Sequence, residues 1–318
     1  MRYQKSSAEP SQNSLHRYYH ANGASTSSTT SKKDKAPYAL VTGSTGGIGE
    51  EWVHQLAALG FNVIAQGRNE SKLQLVRSAV LARYPAVDVR LLVTEATIWP
   101  NEPLVTGLTA LVEDDPSVRL TIVINNLGTV STGFPMLEEE SSESVAAVIT
   151  SNAIFPAEIA RICLPALKRH QPSLLCTVTS LGAWNPPPYL SPYAGTKGFD
   201  VAFSRSLWNE MAIERQDVDV VCLAPGQVVS GMHKYPPTLM APLASVWTES
   251  AVAALRSTWW RPRPPPVVIP YRWHYWGQML GQWSPSWLSD TVARKIAVQL
   301  KADYWEQAER ETVDKKLL

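Results

Sequence analysis

From Pro37 onward the sequence alternates short apolar runs with longer stretches of helical periodicity, and this alternation constrains the fold more than any other feature. Runs that are apolar throughout suit the strands of a parallel sheet covered on both faces, and the intervening periodic stretches suit the crossover helices such a sheet requires. The predicted strands are Tyr38–Thr42, Asn62–Ala65, Val87–Val93, Leu120–Asn125, Leu174–Thr179, Val218–Leu223 and Val267–Ile269. The predicted helices are Gly47–Leu59, Asn69–Arg83, Glu102–Glu113, Ser141–Arg169, Tyr193–Ile213 and Glu249–Thr258. That count fits an α/β, doubly wound parallel sheet of six or seven strands.

At 318 residues, of which 45% are hydrophobic, the chain is long enough for one large domain with tails. The sheet domain is expected over residues 37–270. Residues 1–36 are rich in Ser, Thr, Asn and Lys and poor in aliphatic side chains, which predicts a disordered tail. Arg2, Lys5, Arg17 and the serines also lend it some character of an organellar presequence. Over residues 271–318 an aromatic cluster, Tyr271, Trp273, Tyr275, Trp276, Trp283 and Trp287, leads into a charged helix expected from about Ser289 to Lys316. This helical extension reads as a cap over a cleft or a subunit contact, with docking at a membrane surface as the alternative. The 29 basic and 28 acidic residues nearly cancel, leaving no electrostatic footprint for nucleic acid. Three widely spaced cysteines, Cys163, Cys176 and Cys222, argue against a disulfide framework and against a zinc cluster, so no metal is expected. There is no run of eighteen uninterrupted apolar residues of the kind a spanning helix would supply.

The first strand runs directly into Gly43-Ser44-Thr45-Gly46-Gly47-Ile48-Gly49 and then a helix. Glycines there permit a tight turn and let a pyrophosphate approach the unpaired N–H groups at the helix start, the arrangement of a Rossmann-type nucleotide site. Strand two ends in Gln66-Gly67-Arg68 with no acid placed for the adenosine ribose hydroxyls, whereas the forked donors of Arg68 match a 2′-phosphate; NADP(H) is therefore favoured over NAD(H). Tyr193 and Lys197 stand four apart at a helix start and share one face. A phenol is a weak base at neutral pH, and the lysine ammonium together with the positive ring of an oxidised nicotinamide would stabilise its phenolate. Ser180, thirteen residues before Tyr193, follows a strand end, where ligands of open α/β sheets bind, and its hydroxyl can donate to a carbonyl oxygen as charge develops.

Together these residues resemble the short-chain dehydrogenase/reductase family over about residues 38–235. The matching positions are Thr42, Gly43, Gly47 and Gly49, then Asn125-Asn126-Leu127-Gly128, then Asn152, Ser180, Tyr193, Lys197 and Pro225-Gly226. The resemblance implies that Ser180, Tyr193 and Lys197 are catalytic, that Asn152 holds a water in a proton relay with Lys197, and that Lys197 grips the nicotinamide ribose. It further implies that Asn125 steadies the sheet, that Asn126 and Gly128 border the cofactor and that Pro225-Gly226 flanks the nicotinamide. The family usually sets an Asp against adenine on the third strand. This chain reads Val93-Thr94-Glu95-Ala96, leaving Thr94 and Glu95 as alternatives. Within the family, Asn-Asn-Leu-Gly, Leu164-Pro165 and the Trp-rich tail are most similar to the branch of 17β-hydroxysteroid dehydrogenases and very-long-chain 3-oxoacyl-CoA reductases.

The expected activity is NADPH-dependent interconversion of a ketone and a secondary alcohol. Residues Leu181–Leu190, with Trp184, Pro186, Pro187 and Pro188, are expected to form one stiff wall of the cleft. The apolar stretch Met232, Tyr235, Leu239, Met240, Leu243, Val246 and Trp247 points to a lipophilic substrate such as a steroid, fatty acyl or polyketide-like ketone. A catalytically silent NADPH-binding scaffold is the alternative, against which the intact set of four site residues speaks. Related enzymes pair through two long helices, here around Ser141–Arg169 and Tyr193–Ile213, so a homodimer or homotetramer is expected. Members of that branch usually carry an N-terminal membrane anchor that does not stand out here. A cytoplasmic setting is therefore the expectation, with a peripheral place on an endomembrane or a mitochondrial location as alternatives.

Overall fold

The computed structural model describes residues 15–19, 36–230, 236–256 and 263–317, the side chains of the last to Glu306. Seven strands, β1 (Tyr38–Val41), β2 (Asn62–Gly67), β3 (Val89–Val93), β4 (Leu120–Asn125), β5 (Ser173–Val178), β6 (Val218–Leu223) and β7 (Val267–Val268), form one sheet in the order β3-β2-β1-β4-β5-β6-β7. Every pairing is parallel. The order reverses between β1 and β4, and at such a switch point the loops leaving the strand ends part and open a crevice.

The helices are α1 (Gly47–Ala58), α2 (Glu70–Arg83), α3 (Glu102–Thr109), α4 (Ser142–Ile149), α5 (Phe155–Arg169), α6 (Ser191–Ile213), α7 (Ala244–Ala254), α8 (Arg272–Trp283) and α9 (Ser286–Leu317). Because successive strand residues point to opposite faces, each strand feeds two cores. Ala39 and Val41 of β1 join Val63 and Ala65 of β2 beneath Trp52 and Leu56 of α1 and Trp247 of α7. Tyr38 and Leu40 join Ile64 and Val123 on the other face, covered by Leu104 and Leu108 of α3, Ile159 and Cys163 of α5, and Met211 of α6. The run Ser142–Arg169 is long and apolar enough to cross a membrane by composition, yet more than half of its most apolar stretch is buried in the protein, as a core helix requires.

Several expectations differ in detail. The single helix expected over Ser141–Arg169 is interrupted by one π turn, Thr150–Ile154, between α4 and α5. Helix α7 begins at Ala244 rather than Glu249, because Ala244, Trp247, Thr248, Ala251 and Val252 form one buried stripe; Ser257 and Thr258 lie outside the described residues. Helix α9 starts at Ser286, three residues before the expected Ser289. Met232 and Tyr235 also lie outside the described residues.

The expectation of a disordered tail over 1–36 needs correction at Leu15–Tyr19. Leu15 and Tyr18 are fully buried in the first core, and Tyr19 meets Phe61 edge-on at 5.1 Å. The cause lies in β6, where Asp219 takes an inward position in register with Val221 and Leu223. A buried carboxylate must be paired. The Tyr18 hydroxyl donates to Asp219 Oδ2 at 2.8 Å and Arg17 Nε at 3.2 Å, while Arg17 also pairs with Asp217. Tyr18→Ala removes both the packing and a partner of Asp219, and we expect a loss of about 3 kcal/mol in chemical denaturation. An unchanged midpoint would mean that this segment does not dock in solution.

Candidate active site

Strand β1 hands directly to the glycine turn. Gly43 (φ 67°) and Gly47 (φ 55°) occupy the left-handed region that disfavours other residues. A Cβ on Gly49 would lie 2.1 Å from the Gly43 carbonyl oxygen and 2.6 Å from Asn126 Nδ2, so the turn closes onto α1 with no room for a side chain. Ser44 is buried and donates to the Val41 carbonyl at 2.8 Å, whereas Thr45 and Ile48 are half-buried at the mouth. Gly46 caps α1 without a side-chain acceptor, which leaves the first N–H groups of the helix for a ligand.

The turn is braced from both sides. Gln66 is buried in β2; its Oε1 accepts from the Gly43 N–H at 3.1 Å and its Nε2 donates to the Thr94 carbonyl at 3.0 Å and to Thr94 Oγ1 at 3.1 Å. On the β4 side, Thr42 Oγ1 accepts from the N–H groups of Asn126 and Leu127, each at 3.0 Å, and Asn126 Nδ2 donates to the Thr42 carbonyl at 3.1 Å. Asn125 Nδ2 donates to the Pro156 carbonyl at 3.0 Å, tying β4 to α5. Arg68 stands exposed after β2 with Nη1 3.5 Å from Glu95 Oε2. Of the two residues left open after β3, Thr94 is buried against Gln66, and the Glu95 carboxylate accepts from the N–H groups of Ala96 and Thr97.

Ser180, Tyr193, Lys197 and Asn152 are brought together beyond the ends of β4 and β5. A methyl placed on Gly182 would lie 3.4 Å from Ser180 Oγ and 3.7 Å from the Tyr193 ring; one on Gly128 would lie 3.6 Å from Lys197 Nζ and 3.8 Å from Asn152 Oδ1. Lys197 is buried, its Nζ 5.8 Å from the centre of the Tyr193 ring. It donates to the Val178 carbonyl and to Asp200 Oδ2, both at 3.0 Å. Burial opposes the Lys197 charge, but Asp200 and then Tyr193 outweigh it and hold the ammonium above the usual lysine range. Asn152 lies in the π turn between α4 and α5, and its side chain bonds mainly to other elements: Oδ1 accepts from the Thr129 N–H at 2.7 Å and more weakly from Ser151 Oγ at 3.4 Å, and Nδ2 donates to the Thr129 carbonyl at 2.8 Å and to Thr196 Oγ1 at 3.2 Å. Such single π turns recur at functional sites because they redirect one side chain from a regular helix.

The C-terminal helices roof this cleft. The Leu181 N–H donates to the Pro225 carbonyl at 2.8 Å, and the Gly226 N–H donates to His274 Nδ1 of α8 at 3.0 Å. His274 Nε2 faces the Met240 carbonyl at 3.1 Å; since Nδ1 accepts, Nε2 carries the proton, and burial lowers the pKa of this neutral ring. Asn185 Nδ2 donates to Gln278 Oε1 at 2.5 Å. From α9, Lys301 lies over the Tyr189 ring and Tyr304 against Phe134. The opposite face of α8 exposes Trp276, Leu280 and Trp283. An open pocket of about 350 Å³ lies between Pro135–Glu140 and Pro188–Pro192, beside the start of α6.

Sequence reasoning missed Gln66, Asp200, His274 and Gln278. A signal existed for Asp200, an acid three residues after Lys197 on a helix, and for His274 and Gln278, four apart in an aromatic segment. Gln66 carried none beyond its place in an apolar strand.

The family model for the short chain dehydrogenase matches residues 37–238. A very-long-chain 3-oxoacyl-CoA reductase of Pyricularia oryzae is 28% identical over 270 residues, covering 84% of this chain and 77% of the relative. One from Eremothecium gossypii is 34% identical over 193 residues, covering 59% of this chain and 53% of the relative, so this match spans about half of that protein. A short-chain dehydrogenase from Sphingobium yanoikuyae in complex with NADPH superposes with a TM-score of 0.62 at 19% identity, covering 78% of this chain and 96% of that one. Gly49→Ala should abolish nucleotide binding in calorimetric titration and lower stability by about 2 kcal/mol, since the added methyl has no space. Normal binding by that variant would place the nucleotide elsewhere.

Proposed function

The chain belongs to the short-chain dehydrogenase family, an oxidoreductase acting on CH–OH groups with a nicotinamide cofactor, and from that premise we propose that it reduces a lipophilic ketone with NADPH, using Tyr193 as the proton donor. The observation that carries this reading is the convergence of Ser180, Tyr193, Lys197 and Asn152 beyond the strand ends, one loop away from a glycine turn that a single Cβ would fill.

The residues present fit such a cofactor. The N–H groups at the start of α1 suit its pyrophosphate, with Gly43, Ser44, Thr45, Gly47, Ile48 and Gly49 lining the approach. Arg68, exposed and paired weakly with Glu95, can exchange that carboxylate for a doubly charged 2′-phosphate. Asn126 and Gly128 border the central part, and Pro225-Gly226, held by His274, suits the nicotinamide end. The cofactor supplies a hydride to the carbonyl carbon when bound. Ser180 Oγ donates to the carbonyl oxygen, and Tyr193 delivers the proton that completes the alcohol. Lys197, its charge balanced by Asp200, steadies the deprotonated phenol and leads through Asn152 toward solvent. The apolar cap residues Leu239, Met240, Leu243 and Val246, all substantially exposed, suit a hydrocarbon chain, and the relatives bearing the reductase name favour an acyl substrate.

Tyr193→Phe should reduce ketone turnover by about 10²–10⁴-fold with NADPH affinity retained. Unchanged loss of NADPH absorbance in this variant with a panel of lipid ketones would remove Tyr193 from the mechanism, whereas no loss of absorbance in the wild type with any ketone of the panel would favour a scaffold that binds nucleotide without chemistry. Arg68→Asp should weaken NADPH binding about tenfold or more and leave NADH binding nearly unchanged. Equal effects on both would separate Arg68 from the phosphate.

A further inference from the structure

Lys197 has a buried anionic partner that the reading above does not require. Asp200 lies one turn further along α6, is 1% exposed, and sets Oδ2 3.0 Å from Lys197 Nζ. An ammonium has three N–H groups. One is directed to the Val178 carbonyl of β5 and one to Asp200, so a single N–H remains for the side of the cleft bordered by Gly128 and Asn152. Without an anion in contact, burial would pull the pKa of a lysine at this depth downward, because it penalises the charged form. With Asp200 present the pair enters the core as a neutral unit whose polarity is fixed, with the carboxylate on the core side and the ammonium on the cleft side.

We infer that Asp200 is a positioning residue: through a buried ion pair it holds the Lys197 ammonium in place and answers its charge, so that the site keeps one fixed cation on its cleft side. This rests on the proposed role of Lys197. The groups that face the pair are few. Tyr193 approaches from the first turn of α6, and Cys222 approaches from β6, with the neutral Ser204 and Thr179 beside it. Burial and then Asp200 push the Cys222 thiol up to about 12, so it stays neutral over the range that matters. Among the described residues, then, the charge at this point is set by Lys197 and Asp200, with Tyr193 as the group that responds to it.

The sign follows from linkage. Asp200 favours protonated Lys197, so its effect is present at neutral pH and is lost as pH rises through the range in which the folded protein releases that proton. Removing the carboxylate moves the loss to lower pH. The test compares wild type with Asp200→Asn, which keeps the shape and removes the charge, and Asp200→Val, which fills the space with an apolar side chain. Two curves are recorded between pH 7 and 10: kcat/KM for ketone reduction, and the dissociation constant for NADPH by fluorescence. In the variants the alkaline fall in kcat/KM should begin about one pH unit or more lower, and NADPH affinity should weaken over an interval where the wild-type value is flat. Variants that melt cooperatively and give both curves superimposed on wild type would overturn the inference, as would variants that cannot fold, since Asp200 would then be structural. Because Tyr193→Phe tests turnover separately, superimposed curves alongside an inactive Tyr193→Phe would sink this inference and leave the catalytic reading standing.

Discussion

The site is organised by one buried positive charge. An ammonium placed among apolar strands is tolerated when its donors are occupied and its charge is answered nearby, and each of these demands recruits a different element. The Val178 carbonyl at the end of β5 takes one donor, Asp200 on α6 takes another and balances the charge, and the third faces the loop after β4 and the π turn that carries Asn152. The same lysine thus ties α6 to the end of β5. Tyr193 inherits its place from it, one turn earlier on α6 with its ring 5.8 Å from Nζ.

The frame around that charge depends on the reversal of strand order between β1 and β4. There the two strand ends would separate, yet Thr42 holds them with three hydrogen bonds to Asn126 and Leu127. Gln66 does the same between the glycine turn and the strand beyond it, reaching from Gly43 to Thr94. A turn pinned on both flanks presents its N–H groups in one arrangement, so little ordering remains to be done when an anion arrives.

Much of this was legible in the sequence, and the limits are physical. All seven strands stand where apolar runs predicted them, and β1, β2, β4, β5 and β6 are buried along their whole length, which leaves an unambiguous pattern. That the glycine turn, Ser180, Tyr193 and Lys197 lie close to one another was legible because close backbone approach and the proposed proton transfer restrict residue type. The docked Leu15–Tyr19 segment was not, since its partners, Asp219 and Phe61 among them, lie far away in sequence, and a polar composition conceals its few apolar and aromatic anchors. Asp200 and His274 were missed for a related reason: a single polar residue on a helix acquires meaning from the group it meets in space, here Lys197 and the Gly226 N–H. The π turn was not legible either, because Asn152 is held by Thr129 of the loop after β4 and by Thr196 of α6, neither of them a neighbour in sequence.

The C-terminal helices complete the site. His274 clamps Gly226 and Met240 together, Gln278 holds Asn185, and α9 lays Lys301 and Tyr304 on the rim. The central claim is that the dinucleotide, the phenol and the ammonium meet at one point beneath this roof. A crystal structure of the protein with NADP+ tests it most directly. The account predicts the pyrophosphate over Gly43–Gly49, Lys197 Nζ on the nicotinamide ribose, and a reactive ring carbon facing the space between Ser180 Oγ and the Tyr193 hydroxyl, close enough for a carbonyl carbon to sit about 3–3.5 Å from it. Nucleotide bound away from the glycine turn, or a nicotinamide separated from Tyr193 by the Gly226 segment, would contradict it.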